Sequence, residues 1–503
     1  MSHELFLLVK SLTKAEKGYF KKFAQRYSTN KGDNNYLLLF DAIDEQSSSG
    51  EYDEVRIAAK FKGRKMVKNL SVSKGYLMTA LLKALRSYRE GSHNALADIN
   101  EYIENAQICF DKQLPDLGNK FLDKARRLAL QEELFLKVAD INYLKYRQVE
   151  WYIGEERLRF WEQLYTETQT MLRLHQNIAD IINLNIIATQ QQSQNRALRN
   201  DAEVQRIEAL LQQPLLASPD QALSLSAKAH YHNTVFMLHY WLDHSEAAMA
   251  QLEALLGIME QLPFGNVKSA ATYMAVLVNY LTFCFQLDRF AQFDHYLQCL
   301  RTLPANTPTT IAMKFERYYG MAIRYADYTH NKTQGEILIR EYSEQGGQAQ
   351  QAHLNARRRV TTYGSIVAFW LKTRQFDQAL DWIQRYQTEL DNNLSPDLTA
   401  FMKIYYLLCH YELGNSEHLA YALRNTQNQL KSQDRLYELE QIMLHFFRQT
   451  LKAANRHEHI VCLLQLQQQI GDLQGEPLQK HVLNAYFDFG AWVSQKIALT
   501  ALR

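Results

Sequence analysis

Histidine is the residue type in this chain best suited to metal binding or acid–base chemistry, but its spacing favours neither. His230, His232, His239 and His244 fall within 15 residues. His230 and His232 are two positions apart and point in different directions on a helix, whereas His232 and His239 can share a face. The His-Glu-His run at 457–459 does not have the spacing of His-Glu-x-x-His, which places two zinc ligands one turn apart. We interpret these histidines as residues of helix ends and turns.

Other catalytic motifs are also missing from the sequence. It contains no Gly-x-Ser-x-Gly nucleophile turn, no Gly-x-x-x-x-Gly-Lys-Ser/Thr phosphate loop and no Gly-x-Gly-x-x-Gly dinucleotide motif. Paired carboxylates such as Glu155-Glu156 have basic neighbours, as is typical of a solvated helix face. The sequence therefore predicts a protein that is not an enzyme and holds no cofactor or metal. Catalysis by residues outside any recognisable motif stays open as an alternative.

Cysteine usage indicates a reducing compartment. The five cysteines are far apart, odd in number and set in apolar surroundings, and none forms a Cys-x-x-Cys pair. They are Cys109, Cys284, Cys299, Cys409 and Cys462. The apolar run at the N-terminus is too short for a signal peptide, and no stretch approaches the roughly 20 apolar residues of a membrane span. We expect a cytoplasmic protein without membrane contact.

Positive charge is concentrated near the N-terminus. Residues 1–92 contain 17 Lys and Arg against 10 Asp and Glu, whereas the remaining residues contain 39 against 44. The segment 56–89 has ten basic residues and no acidic one, a composition that can neutralise several phosphates. Nucleic-acid binding through residues 56–89 is therefore one hypothesis, with Lys65, Lys68, Lys74 and Arg86 as candidate contacts. The alternative is a solvated basic face that docks on the acidic remainder of the chain or on an acidic partner.

The basic segment belongs to a set of short predicted helices. Thr13 followed by Glu16 predicts a capping box at a helix start. Further helices are predicted at 37–43, 53–61 and 73–89. The break at Gly63 resembles the turn of a helix-turn-helix motif, but polar residues occupy the packing positions after it. We expect residues 1–92 to form a basic helical domain.

From about residue 95 onward a unit of about 40 residues recurs, each an apolar helix, a polar turn and a second apolar helix. With eight prolines and 19 glycines in 503 residues, helix breakers are few. A hydroxyl followed by proline predicts helix starts at 218–219, 307–308 and 395–396. Turn centres are predicted near Gly118, Gly154, Asp243, Asp288, Asn331, Arg374, Gly414 and Asn455. Glutamine-rich stretches at 190–195 and 345–351 are predicted loops or exposed helix ends.

These turn and second-helix segments resemble tetratricopeptide repeats. The matching residues are Phe376 with Ala379, the run 413–415, Phe290 with Phe293 and Pro304, and Ala250 with Pro263. The resemblance implies a right-handed superhelix whose concave face binds a peptide or a partner protein.

The sequence thus predicts an all-α chain. It comprises a basic N-terminal helical domain (1–92) and an α-solenoid of stacked antiparallel helix pairs (93–503) that ends in a capping helix at about 481–502. The predicted function is that of a non-enzymatic scaffold or adaptor that binds a protein or peptide. Candidate contacts in the array are Tyr318, Arg324, Arg358 and Lys403. A nucleic-acid-associated regulator is the main alternative.

Overall fold

The chain folds into helices, as its composition predicts. The computed structural model describes residues 2–26, 35–47, 52–63, 69–90, 95–148, 154–194, 201–262, 269–305, 307–345, 356–389, 396–432, 437–474 and 487–502. These residues form 23 α-helices and two short 3-10 helices, and none of them is in a β-strand. The prediction of an all-α chain is confirmed.

Internal contacts divide the chain into two units. The first consists of Met1–Asn183, Ala222–Ala227 and Gly265–Val267, and the second of Leu184–Gln221, Lys228–Phe264 and Lys268–Arg503.

The first unit contains eight complete helices and most of a ninth. They are α1 (Ser2–Ser11), α2 (Lys14–Arg26), α3 (Asn35–Ser47), α4 (Glu54–Lys60), α5 (Leu70–Glu90), α6 (Ala95–Asp111), α7 (Pro115–Gln131), α8 (Phe135–Arg147) and α9 (Glu155–Gln194). Helices α1–α5 enclose one hydrophobic core around Phe20 and Phe40, and α6–α9 enclose another around Leu122 and Ile141. The predicted domain boundary at residue 92 lies between these two cores, in a stretch outside the described residues.

Local hydrogen bonds define the N-terminal helices. The Thr13 amide donates to Glu16 Oε2 at 2.8 Å and the Glu16 amide donates to the Thr13 hydroxyl at 3.2 Å, which confirms the predicted capping box. Asp53 caps α4 by accepting from the Arg56 amide at 3.0 Å. Gly63 follows that helix with φ at +92°, a left-handed conformation that favours glycine.

The second unit contains the remaining helices. They are α10 (Asp201–Leu211), α11 (Leu225–Trp241), α12 (Ser245–Gln261), α13 (Ala270–Leu287), α14 (Phe293–Thr302), α15 (Pro308–Tyr328), α16 (Lys332–Gln345), α17 (Ala356–Lys372), α18 (Phe376–Glu389), α19 (Pro396–Glu412), α20 (Ser416–Ser432), α21 (Glu438–Thr450), α22 (Arg456–Gln474) and α23 (Phe489–Leu502). One hydrophobic core extends from α15 to α23, and neighbouring helices pack against one another along it.

The same turn geometry recurs between consecutive helices. A residue with positive φ ends the helix, and the next amide donates to the carbonyl five positions earlier, as from Arg289 to Cys284 at 3.0 Å and from Asn415 to His410 at 2.9 Å. This bond satisfies a carbonyl that the helix end leaves without a partner. The positive-φ residues include Gln113, Glu133, Asp243, Asp288, His330, Arg374 and Gly414. The turns predicted near Asp243, Asp288, Asn331, Arg374 and Gly414 are confirmed.

Two local predictions are wrong. Gly118 lies inside α7 instead of in a turn, because the turn forms at Gln113; a Cβ at Gly118 would come within 2.4 Å of the Phe110 ring. The proline at 219 starts only a 3-10 helix, Pro219–Gln221, and the α-helix begins at Leu225. The glutamine-rich stretch at 190–194 forms the C-terminal end of α9, a helix of 40 residues, which is one of the two predicted alternatives; residue 195 lies outside the described residues.

Within the described residues one helix, α13, is long and apolar enough to cross a membrane by length and composition, with a mean hydropathy of 1.3. Half of that helix is buried inside the protein. Core helices of soluble proteins have the same length and composition, so these two properties do not assign a location.

Candidate interaction surfaces

The basic residues proposed from the sequence have different environments. Lys74 is only 2% exposed, and its Nζ lies 2.7 Å from a carboxylate oxygen of Glu54 and 3.4 Å from the hydroxyl of Tyr52. Its charge is thus matched within the interior of the N-terminal helices. Arg86 is exposed on α5, whereas Lys65 and Lys68 lie outside the described residues.

The candidate contacts in the second unit take part in packing. The Arg301 guanidinium lies 5.6 Å from the ring centre of half-buried Tyr318, and that of Arg324 lies 4.3 Å from the ring centre of Phe285. Tyr318 and Arg324 are six positions apart on α15, about 240° around the helix, so they face different directions. Lys403 on α19 is half-buried, and burial lowers the pKa of its amine.

The other residue of that set, Arg358, belongs to the first turn of α17, with its side chain outside the described residues.

Among the residues that the structure describes, the largest group of exposed rings lies in the first unit, on α8 and α9. Tyr143, Tyr146, Trp161 and Tyr165 are 60%, 41%, 38% and 52% exposed. The four rings are consecutive neighbours. Their centres are 6.5 Å apart between Tyr143 and Tyr146, 4.6 Å between Tyr146 and Trp161, and 5.9 Å between Trp161 and Tyr165. We call these four residues the aromatic surface. Contiguous apolar patches of several hundred Å² on a protein surface often mark interaction sites.

Helical periodicity explains why these rings face solvent. Phe135, Val138 and Ile141 of α8 point into the core, which leaves the positions of Tyr143 and Tyr146 on other faces. On α9 Leu164 and Met171 are buried, whereas Trp161 and Tyr165 share a solvent-facing stripe one turn apart. The sequence contains a signal for this surface, aromatic pairs at i, i+3 and i, i+4, but the sequence-based candidates do not include these residues.

A partly buried polar cluster holds the helices beneath the aromatic surface together. Arg126 of α7 forms an ion pair with Glu167 of α9 through two of its guanidinium nitrogens, and the Asn142 side-chain amide of α8 donates to the same carboxylate at 3.0 Å. Burial by itself would raise the pKa of Glu167, but the hydrogen bonds from Arg126 and Asn142 outweigh it and lower the pKa. Glu167 is therefore ionised at neutral pH and bridges the three helices.

A shallow depression borders the aromatic surface on the next stripe of α9. Its lining residues are Arg159, Glu162, Gln163, Thr166 and Glu167. These side chains supply hydrogen-bond donors and acceptors beside apolar rings, a combination suited to a peptide backbone or to polar side chains.

Exposed cations cluster separately on α5. Val72, Tyr76, Thr79, Lys83 and Arg86 are exposed and recur at intervals of four and three residues, so they form one stripe along the helix. We call this stripe the α5 basic face. Towards the N-terminal end of this stripe, the ring centre of Tyr76 lies 6.5 Å from the ring centre of Tyr36 on α3, and both tyrosines are exposed.

The described residues contain no group of three or more His, Cys, Asp or Glu placed to hold a metal ion. Cys109, Cys284 and Cys409 are buried thiols, and burial raises the pKa of Cys284 to about 11. Among the clustered histidines, the closest approach is 3.4 Å between the Nδ1 atoms of His239 and His244. No protein-family model matches the chain, and no curated protein is significantly similar to it.

Proposed function

We propose that this protein is a non-enzymatic scaffold or adaptor that binds a peptide segment of a partner protein on its aromatic surface. The observation that carries the proposal is the continuous chain of four exposed rings on α8 and α9. Tyrosine and tryptophan dominate the energetics of protein interfaces because they offer a large contact area with few rotatable bonds.

The area available is sufficient for specific binding. Four half-exposed rings of about 150–250 Å² each leave on the order of 400 Å² to bury, a gross gain of about 10 kcal/mol. Losses of translational, rotational and side-chain freedom reduce that gain by at least about 4 kcal/mol, so a Kd on the order of tens of micromolar or weaker is expected. The polar depression on the adjacent stripe of α9 supports a peptide ligand, since it offers partners for the hydrogen-bonding groups of a main chain.

Helix contacts support the further proposal that the second unit is an α-solenoid related to tetratricopeptide repeats. Beyond the contacts between consecutive helices, α13 packs on α15, α15 on α17, α17 on α19 and α19 on α21. Contacts between alternate helices are what stacked helix pairs produce, because the first helix of each pair lies against the first helix of the next. Such an array would act as a scaffold, and the thiols set in apolar helices favour a cytoplasmic location.

The test compares the aromatic surface with a control site of similar exposure. Peptides selected from a display library on the full chain are titrated by calorimetry against wild type, Trp161→Ala/Tyr165→Ala and Tyr421→Ala, an exposed tyrosine of α20. Truncation of two central rings should weaken binding at least about tenfold, since hot-spot residues contribute more than 1 kcal/mol each. Tyr421→Ala should bind like wild type.

Two outcomes contradict the proposal. Either the library yields no binder for wild type, or the selected peptides bind the double variant as tightly as wild type. Circular dichroism establishes that the variants are folded, which is expected because neither ring belongs to the core.

A further inference from the structure

The described acidic side chains of the N-terminal helices already have partners, most of them cationic side chains or backbone amides. Four ion pairs join Lys17 to Asp44, Lys21 to Asp41, Lys60 to Glu45 and Lys74 to Glu54. Glu16 and Asp53 accept hydrogen bonds from helix-start amides. These contacts leave several described cations between residues 2 and 90 without an ion pair in the structure: Lys10, Lys14, Lys22, Arg56, Lys62, Lys83 and Arg86. The charge left unmatched in this part of the chain is therefore positive.

The α5 basic face combines part of that charge with aromatic rings. Between Val72 and Arg86 the helix carries no Asp or Glu. Lys83 and Arg86 lie about 10 and 15 Å along the helix axis from Tyr76, given a rise of about 1.5 Å per residue. The Tyr36 and Tyr76 rings meet at 61°, so they do not stack on each other, and both remain exposed.

We infer that the α5 basic face binds single-stranded nucleic acid, with Lys83 and Arg86 on backbone phosphates and the Tyr36–Tyr76 pair against an unpaired base. Proteins that bind single strands combine a cationic track with aromatic rings on which bases stack. Complementary charge explains attraction to a polyanion, and the exposed rings select a strand whose bases are not enclosed in a duplex. This site is separate from the aromatic surface and does not depend on the proposed peptide binding.

The test is fluorescence anisotropy of the full chain with a labelled 20-nucleotide oligo(dT) at 50 and 200 mM NaCl. Wild type should bind, with weaker affinity at the higher salt concentration because counterions compete for the phosphates. Lys83→Ala/Arg86→Ala should weaken binding. It should also make the slope of log K against log salt concentration shallower by about 1.4, since two phosphate contacts are lost. Tyr76→Ala should weaken binding roughly 5- to 150-fold, because the stacking of one base on an aromatic ring contributes about 1–3 kcal/mol.

The control removes the same charge elsewhere. Arg424→Ala/Lys431→Ala changes two exposed cations on α20 and should leave oligonucleotide binding unchanged. All four substituted cations are exposed, so thermal melts should match wild type.

Competitors distinguish the ligand class. Duplex DNA, vesicles of 4:1 phosphatidylcholine and phosphatidylserine, and polyglutamate should each displace oligo(dT) less effectively than unlabelled oligo(dT). The inference is overturned by absence of oligo(dT) binding, by equal or tighter binding of any of these competitors, or by an α5 variant that binds like wild type.

Discussion

Replacing Gly335 by alanine tests how closely two helices of the second unit approach. A Cβ at this position of α16 would lie 2.2 Å from Cε2 and 2.4 Å from Cζ of the Phe369 ring on α17. Phe369 is 1% exposed and also contacts the Trp370 ring at 5.1 Å between centres. Because neighbouring atoms enclose the Phe369 ring, the ring can make room for a methyl group only if the surrounding core residues also shift.

Two opposing effects set the magnitude. Alanine is favoured over glycine inside a helix by about 1 kcal/mol, whereas an extra methyl in a packed core costs about 1–3 kcal/mol. Gly335→Ala should therefore destabilise the region by about 0–2 kcal/mol. Gly257→Ala on α12 is the matched control: no atom lies within 4 Å of its Cβ position, so it should stabilise by up to about 1 kcal/mol.

Hydrogen exchange measured by mass spectrometry is the appropriate assay, because it reports local opening free energies even if the two units unfold separately. Gly335→Ala should speed exchange in α16 and α17, and adding Phe369→Leu should restore part of the protection by removing the far edge of the ring. If Gly335→Ala protects its helix as Gly257→Ala does, the close approach of α16 and α17 is refuted.

Two further predictions concern buried carboxylates of the second unit. Glu412→Ala removes the carboxylate that pairs with Arg374 at 3.3 Å and with Lys496 at 2.5 Å. It should lower the stability of this region by about 3 kcal/mol, because two cations lose their partner. Hydrogen exchange should show this as lost protection in α23, and unchanged protection would contradict the prediction. Glu316 accepts from the Tyr342 hydroxyl at 2.9 Å, and burial raises the pKa of its carboxyl, so the folded wild type binds this proton more tightly than the unfolded chain does. The stability that this group gives wild type is lost as pH rises through the folded pKa. Glu316→Gln does not titrate, so its melting temperature should rise relative to that of wild type between pH 5 and pH 8. The same difference in melting temperature between variant and wild type at both pH values would contradict this prediction.

Helix starts and turns could be predicted from the sequence because their determinants are close along the chain. The Thr13–Glu16 capping box and the turns at Asp288 and Gly414 depend on hydrogen bonds between residues three to five positions apart. Gly118 shows the limit of this reasoning. A glycine is needed there because the Phe110 ring of α6 lies against α7 at this position, and not because the chain turns.

The candidate sites could be predicted only in part. The basic composition of 56–89 indicated where cations concentrate, and Arg86 is indeed exposed. The same composition could not separate Arg86 from Lys74, which is buried against Glu54. Tyr143 and Trp161 give no stronger signal in the sequence than the many tyrosines that pack in the core.

By itself the amino-acid sequence determined the helical class, the punctuation of the helices and the uneven distribution of charge, since each follows from composition or from neighbouring residues. The tertiary structure alone decided which lysines are neutralised inside the protein and which rings remain in water. Exposure depends on the helices that cover each face, and those helices come from distant parts of the chain, so no local pattern of residues records it.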